Sequence, residues 1–364
     1  MIIQAIILPV SAYIAYSILK RKSFEKVRDR IPVRIHIGGT RGKSTVVKLI
    51  LGGLWEAGKS ASGKVTGETP TYLDTKGNEA SLKRKYPIDI IEQRDVIKLM
   101  ASQNTEYGVI ENMAINPELI EASESQIIRS HIGVLTNVRQ DHNDLWGIDP
   151  VKIAEIHAKG LPENGVAFTG ESDYLSTIEE LCKKKNTQVY YVPESDWELS
   201  DTSSDIEKVN QHNLALALKV CIHLGISEDV ARKGILKILS RIPPFYYEWN
   251  GYRFYSFFNV NDHISAGKIF SKISKKSDIK KIAVFNHRYD RPWRWDNFQK
   301  FLSRNFEAII LIGDSLPVGK RMSHSMIDLS KCDIFEDIKE ELLNRFEFGT
   351  EFWCWGNSKG IEIK

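Results

Sequence analysis

The 364-residue chain is long enough for two domains, and its 42% apolar and 27% charged residues are those of an ordinary folded protein. Lys and Arg number 50 against 47 Asp and Glu, a net charge of +3 that is too small to argue for a nucleic-acid partner, and no basic run is interleaved with stacking aromatics. Cys182, Cys221, Cys332 and Cys354 show neither CxxC nor metal-ligand spacing, so they read as reduced thiols in a cytosolic compartment.

The first element is apolar. MIIQAIILPVSAYIAYSIL, residues 1–19, carries no charge and is followed at once by Lys20, Arg21 and Lys22. As a helix it spans about 28 Å, close to a bilayer core. No basic residue precedes it, which argues against a signal peptide, and no polar face marks a peripheral helix. A membrane anchor over 1–20 is the expectation, with the following chain on the cytoplasmic side. Gln4 and Pro9 keep a buried core helix as the alternative.

RIHIGGTRGKSTVVKLI, residues 34–50, follows. Val33, Ile35 and Ile37 make a short buried strand, Gly38, Gly39 and Gly42 a turn free to adopt unusual φ, and KSTVVKLILGGLW a helix with Val46, Val47, Leu49, Ile50 and Leu54 on its apolar face. Strand, glycine turn and helix are the setting of a phosphate loop, in which backbone N–H groups and the helix N-terminus hold phosphate oxygens. Lys43 would neutralise the β and γ phosphates, and the Ser44 hydroxyl would sit on Mg²⁺. The usual pattern wants glycine at position 37, where this chain has Ile.

Farther on, GVIENMA and HIGVLTNV read as buried strands, and DPVKIAEIHAKGL and VNQHNLALALKVCIHLGI as helices. The alternation predicts an α/β domain with a mostly parallel sheet. The Pro-Pro pair of LSRIPPFYYEWNG marks a boundary, giving a central domain over 21–243 and a smaller α/β domain over 244–364 built on RFYSFFNV, IKKIAVFNH, FEAIILIGD and EFWCWGN. Ligands of such sheets bind at the C-terminal ends of strands. Glu111 ends YGVIE, and Asn137, Asp141, His142 and Asp144 follow HIGVL. Glu111 and His142 have the side-chain types to hold a divalent metal beside a triphosphate, although histidine is less usual on Mg²⁺.

GGTRGKST, TNVRQDH and QHN before an Ala-rich helix resemble the ATP-dependent Mur ligases and folylpolyglutamate synthase, whose loop is G-T-x-G-K-[ST] with no glycine where Ile37 stands. SGKVTGETP (62–70), ENMAINPE (111–118), NVRQDHNDLWG (137–147), LPENG (161–165), NVNDHIS (259–265), NHRYDR (286–291) and WGNSKG (355–360), in this order, resemble the ligase subunit of poly-γ-glutamate synthase. The resemblance covers nearly the whole chain. It implies a Mur-ligase-like central domain with a phosphate loop, a Rossmann-like C-terminal domain and a hydrophobic N-terminal segment.

By resemblance, Gly39, Thr40, Arg41, Gly42, Lys43, Ser44 and Thr45 bind the phosphates of ATP. Ser44, Glu111 and His142 hold Mg²⁺, Asn213 touches the adenine, and Asp262 reaches the nucleotide from the second domain. Asn286, Arg288, Asp290 and Arg291 line the cleft, with Arg288, Arg291 and Arg294 suited to polyanionic substrate. Relatives carry a carbamylated lysine in the helix after the Asp-His motif; here that helix offers His157 at the matching position and Lys159 two residues on. Residues two apart on a helix point about 200° apart, so only one of the pair faces the site.

The implied reaction is ADP-forming amide ligation. A glutamate carboxylate of a growing chain is the acceptor and free glutamate the amine, with membrane subunits and a homo-oligomer among the implied partners. The chain also departs from the pattern. Mur ligases place an arginine just before the second domain, where this chain reads PPFYYEW, with Arg241 and Arg253 nearby. The competing readings are a soluble folylpolyglutamate-type ligase, for which no pterin site is legible, and a non-catalytic nucleotide-gated membrane scaffold.

Overall fold

The computed structural model describes residues 2–66, 70–83, 89–197, 211–241, 245–260, 262–274, 279–316, 326–329 and 345–357; the side chains of 2–6 and 8 are also outside that set. Several sequence readings therefore lie partly outside the described residues: Met1 of the N-terminal segment, 67–69 of the 62–70 motif, 209–210 of the Ala-rich helix, the Pro-Pro pair 243–244, Asn261, Cys332 and 358–364. The chain divides into two compact units, Met1–Ile242 and Pro243–Lys364.

In chain order the first unit contains α1 (Ile2–Arg28), β1 (Val33–Gly38), α2 (Lys43–Glu56), β2 (Ala61–Val65), β3 (Thr71–Leu73), β4 (Glu79–Ser81), α3 (Glu92–Ser102), β5 (Tyr107–Glu111) and α4 (Pro117–Ala122), which runs into a π-helical turn (Ser123–Ile128). It continues with β6 (Ile132–Leu135), α5 (Asn143–Trp146), α6 (Pro150–Lys159), β7 (Val166–Thr169), α7 (Leu175–Lys184), β8 (Gln188–Tyr191), α8 (Gln211–His223) and α9 (Glu228–Leu239). Among the described residues its sheet has the order β4-β3-β2-β5-β1-β6-β7-β8, parallel from β2 to β8 with β3 and β4 antiparallel at the edge.

Alternate residues of the central strands serve opposite faces. Ile35, Ile37, Val109, Val134 and Phe168 pack with α2, α8 and α9. Ile110 joins a cluster with Phe24, Ile31 and α3, while Leu135 and Ala167 join one with α6 and α7. Helices thus cover both faces, which is why these strands read as continuous apolar runs. Sheet, α8 and α9 enclose α2, so it is buried almost all round from Val46 to Leu54 rather than along one stripe. Gly52 allows that enclosure: an added Cβ there would lie 2.7 Å from the Gly234 carbonyl oxygen of α9.

Only the last turn of α1 docks on this body. Phe24 is buried with the Arg94 guanidinium 4.4 Å from its ring, whereas residues 9–23 are exposed, Val10, Tyr13, Ile14, Tyr16, Ile18 and Leu19 among them. Among the described residues, no helix is long and apolar enough to cross a membrane.

The second unit contains β9 (Tyr246–Trp249), β10 (Tyr252–Ser256), α10 (His263–Ile273), β11 (Lys281–His287), α11 (Pro292–Asn305), β12 (Ala308–Gly313), β13 (Met326–Asp328) and β14 (Glu351–Trp355). Its sheet order is β13-β12-β11-β14-β10-β9, parallel except for β9. Phe254, Ile282, Val284, Ile310 and Phe352 form one face. Ala283, Phe285, Ile309, Trp353 and Trp355 form the other, against α10 and α11.

Candidate active site

The chain leaves β1 at Gly38, bends through residues 39–42 and enters α2 at Lys43. Two glycines make the bend. Gly39 has φ +108°, and a Cβ there would lie 2.9 Å from the Thr136 backbone nitrogen; Gly42 has φ +81°, and a Cβ there would lie 2.6 Å from the Asn213 amide. Both the left-handed conformation and the close approach require glycine. Among the described residues no side chain caps α2, which leaves the first-turn N–H groups after Gly42 available to an anion at the loop.

The strand reading HIGVLTNV ends early in the structure, because β6 stops at Leu135 and residues 136–139 turn away to brace the phosphate loop. Thr40 N–H donates to the Asn137 carbonyl (3.0 Å), Arg41 N–H donates to Asn137 Oδ1 (3.1 Å), and Asn137 Nδ2 donates back to the Arg41 carbonyl (3.1 Å). Arg139 N–H donates to Thr40 Oγ1 (3.0 Å). Glu171, buried just past β7, accepts from Val138 N–H (2.8 Å) and Arg139 Nη1 (2.9 Å). Glu171 was not among the residues singled out from the sequence, although its position at a strand's C-terminal end was the available signal.

Lys43 folds back over the loop, donating from Nζ to the carbonyls of Gly39 (2.8 Å) and Thr40 (3.3 Å). Burial, reinforced by the Arg41 charge, lowers its pKa against the pull of Glu111 and Asp141. Ser44 Oγ donates to Glu111 Oε2 (2.7 Å), and Thr66 N–H donates to the same oxygen (2.8 Å). Glu111 is thus a buried strand-end carboxylate rather than a surface or capping group. Arg41 pairs with buried Asp141 (3.2 Å), while its Nε is buried without a hydrogen-bond partner among the described residues. An unsatisfied guanidinium N–H beside free helix N–H groups suits an anion.

His142 sits next to Asp141 with a left-handed φ of +48°, its ring against Trp146. His157 is buried on α6 with Nε2 3.2 Å from Thr40 Oγ1, while Lys159 is exposed. Of that pair the histidine faces the loop. Burial, with the Lys43 and His142 charges, pushes the His157 pKa down to about 3 against Asp141. The folded chain therefore refuses the proton that an unfolded His157 accepts near pH 6.5. Stability is expected to fall as pH drops from about 6.5 towards 3, by up to about 1.4 kcal/mol per pH unit from this group. Urea titrations of wild type and His157→Gln across that range check it; parallel pH profiles would be the contrary result.

The Ser44 hydroxyl and Glu111 carboxylate form a hard oxygen pair suited to Mg²⁺. Among the described residues, no group of three or more His, Cys, Asp or Glu side chains is assembled to hold a metal unaided. That also fits Mg²⁺, which is held by one or two protein oxygens together with substrate phosphates and water.

The structure gathers Gly39, Thr40, Arg41, Gly42, Lys43, Ser44, Thr45, Glu111, His142, His157 and Asn213 around this loop. Asp262, Arg288 and Arg291 belong to the second unit. Asp262 caps α10 by accepting from Ser265 N–H (2.8 Å). Arg288 makes a two-pronged pair with Asp290 (2.8 and 2.6 Å), the local Arg–Asp pairing that the sequence allowed, and Arg291 lies over Trp293. At the end of β11, Asn286 Nδ2 donates to the Asn357 carbonyl (2.6 Å).

Comparison with known proteins agrees with this arrangement. Residues 37–223 match the Mur ligase middle domain, and residues 245–362 match the poly-gamma-glutamate synthase CapB C-terminal domain. The chain is 30% identical over 370 residues to the PGA synthase CapB of Bacillus subtilis (strain 168), covering 95% of this chain and 93% of that protein. It is 32% identical over 308 residues to the capsule biosynthesis protein CapB of Bacillus anthracis, covering 82% of this chain and 66% of that one. In fold it is similar to the bifunctional folylpolyglutamate synthase/dihydrofolate synthase of Yersinia pestis complexed with AMPPNP and Mn ion, with TM-score 0.72 at 15% identity over 94% of this chain and 90% of that one. The chain belongs to the poly-γ-glutamate synthase CapB family, with a Mur ligase middle domain carrying its phosphate loop.

Proposed function

We propose that this chain is the ATP-dependent amide ligase of poly-γ-glutamate synthesis. The observation that carries the reading is the Ser44–Glu111 oxygen pair beside Lys43 at the uncapped N-terminus of α2, in a chain of this family. A γ-carboxylate of the growing polymer attacks the γ-phosphate of ATP, forming an acyl phosphate and releasing ADP. The amine of a glutamate then attacks the acyl carbon, forming the amide and releasing phosphate. The loop N–H groups and Lys43 hold the β and γ phosphates and neutralise charge as it develops. Ser44 and Glu111 hold Mg²⁺, which when bound screens the phosphate charge.

Asp141 orients Arg41 towards the phosphates. Thr40, fixed by Arg139 and His157, keeps the loop open, and Asn213, packed on Gly42, borders the adenine. His142 or a neutral His157 would add at most one nitrogen donor to the Ser44–Glu111 oxygen pair. Incubation with ATP and glutamate is expected to release ADP, read by chromatography of the nucleotides; AMP as the product would overturn the acyl-phosphate route.

The same reading places α1 in the cell membrane and the two units on the cytoplasmic side. Its support is the exposed apolar run of α1 followed by Lys20, Arg21 and Lys22. Further membrane subunits of a polymer synthase, or a second copy of this chain, are the partners such an anchor suits.

A further inference from the structure

At the end of α2 remote from the phosphate loop, about 20 Å along the helix axis, the first unit carries an open cavity of about 550 Å³. Its wall includes Trp55 and Glu56 at the end of α2, Lys59 before β2, Lys76 in the turn between β3 and β4, and Lys237 and Arg241 at the end of α9.

The acidic group of the wall, Glu56, and Asp74 next to Thr75 in the adjoining turn are already engaged. Glu56 is held between Lys233 (2.8 Å) and Lys237 (2.5 Å), and these hydrogen bonds keep its carboxyl below the usual range. Asp74 accepts from the backbone N–H of Lys76 (2.8 Å) and from the backbone and amide N–H of Asn78 (2.9 Å each). The side chains of Lys59, Lys76 and Arg241 make no hydrogen bond or ion pair among the described residues, and all three are exposed. Trp55 adds an apolar wall, its indole N–H already donated to the Ala61 carbonyl (2.8 Å). Lys59 and Arg241, with Lys76 whose charge is partly offset by Asp74, ring a concave site with one aromatic wall and suit a phosphate-bearing anion with a small organic body.

Strand register places this cavity relative to α1. Ala61 pairs with Tyr107 and Tyr107 with Val33, so Lys59, two residues before β2, lies at the same sheet edge as the start of β1. Five residues before Val33, α1 ends at Arg28. The helix with exposed apolar residues and a Lys-Arg-Lys run therefore joins the unit at the cavity's edge of the sheet, though on the opposite face, where Phe24 packs with α3. The phosphate loop occupies the other edge.

We propose that this cavity is a binding site for an anionic phospholipid headgroup. It holds the first unit on the membrane surface by the edge remote from its nucleotide site. The proposal rests on the reading of α1 as a membrane segment.

The test uses the full chain in a neutral detergent. It is titrated with dioctanoyl phosphatidylglycerol or dioctanoyl phosphatidylcholine and followed by tryptophan fluorescence. The phosphatidylglycerol is expected to bind and the phosphatidylcholine not. The triple change Lys59→Ala/Lys76→Ala/Arg241→Ala is expected to weaken binding roughly a hundredfold, at about a factor of five per cation. ATP turnover and thermal midpoint should stay at the wild-type level, since all three side chains are exposed and Arg241, which the sequence offered as a counterpart of the Mur-ligase arginine, lies with Trp55 and Lys59 at the end of α2 remote from the phosphate loop. A Lys183→Ala/Lys184→Ala control on α7 should bind as wild type does.

Equal binding of the two lipids, or an unaffected triple variant, would overturn the proposal. Displacement of phosphatidylglycerol by inorganic phosphate at equal charge would reveal a free-anion site instead, and displacement by poly-γ-glutamate a polymer site; either also overturns it. Whether the chain fractionates with membranes, and whether deleting residues 1–20 releases it, tests α1 independently of this titration.

Discussion

Lys43→Ala is expected to lower ATP turnover by at least about a hundredfold, the usual cost of removing a group that stabilises transition-state charge. The fold should survive. Among the described residues, Lys43 Nζ hydrogen-bonds to the carbonyls of Gly39 and Thr40, two contacts of about 1 kcal/mol each, and its burial already works against the charged form. The loop itself is braced elsewhere, by Asn137 on residues 40 and 41 and by Arg139 on Thr40. The thermal midpoint should therefore move by only a few degrees while turnover collapses. A variant that keeps more than about a tenth of wild-type turnover would remove Lys43 from the phosphate site.

Glu111→Gln is expected to raise the Mg²⁺ concentration for half-maximal turnover by more than about tenfold and to slow the saturated rate. Glutamine keeps the shape, and its amide oxygen still accepts from Thr66 N–H and Ser44 Oγ, the two contacts that fix this side chain. Only the charge is lost. A Mg²⁺ titration superimposable on that of wild type would show that the carboxylate does not hold the metal. A fall in rate at every Mg²⁺ concentration, with no shift in the half-maximum, would assign Glu111 to loop geometry instead.

Much of this site could be read from residues close in sequence. Residues 33–50 encode strand, turn and helix through local apolar patterning and three glycines, and the structure realises them as β1, the loop and α2. Glu111 and the residues after β6 were legible because strands of a parallel sheet deliver their C-terminal ends to one edge. The supporting contacts were not legible. Thr40 meets Arg139 and His157 across 99 and 117 positions, and Gly42 meets Asn213 across 171, distances over which no local pattern operates.

Periodicity also fell short at two points. HIGVLTNV has a strand's composition to its end, but β6 stops at Leu135; Thr136 still bonds to Gly38 at the end of β1, and Asn137 is turned to the loop by its bonds to Thr40 and Arg41. The face expected on α2 from Val46, Val47, Leu49, Ile50 and Leu54 is buried as read, but the burial extends to Leu51, Gly52 and Gly53, because α9 approaches through Gly52 and Gly234. The choice between His157 and Lys159 needed the register of α6, which turns the histidine inward and the lysine to solvent.

The central claim is that a substrate carboxylate is phosphorylated before the amide forms. Following the carboxylate oxygen tests it most directly. Glutamate labelled with ¹⁸O in its side-chain carboxylate is supplied with ATP and Mg²⁺ to the full-length chain in membranes, and the released phosphate is analysed by mass spectrometry. Attack on the γ-phosphate makes a C–O–P bridge from a labelled oxygen, and amine attack at carbon breaks the C–O bond. After the first addition to an unlabelled chain end, each amide formed should therefore send one ¹⁸O into inorganic phosphate, alongside one ADP. Unlabelled phosphate accompanying the later additions, or label appearing in AMP, would contradict the account.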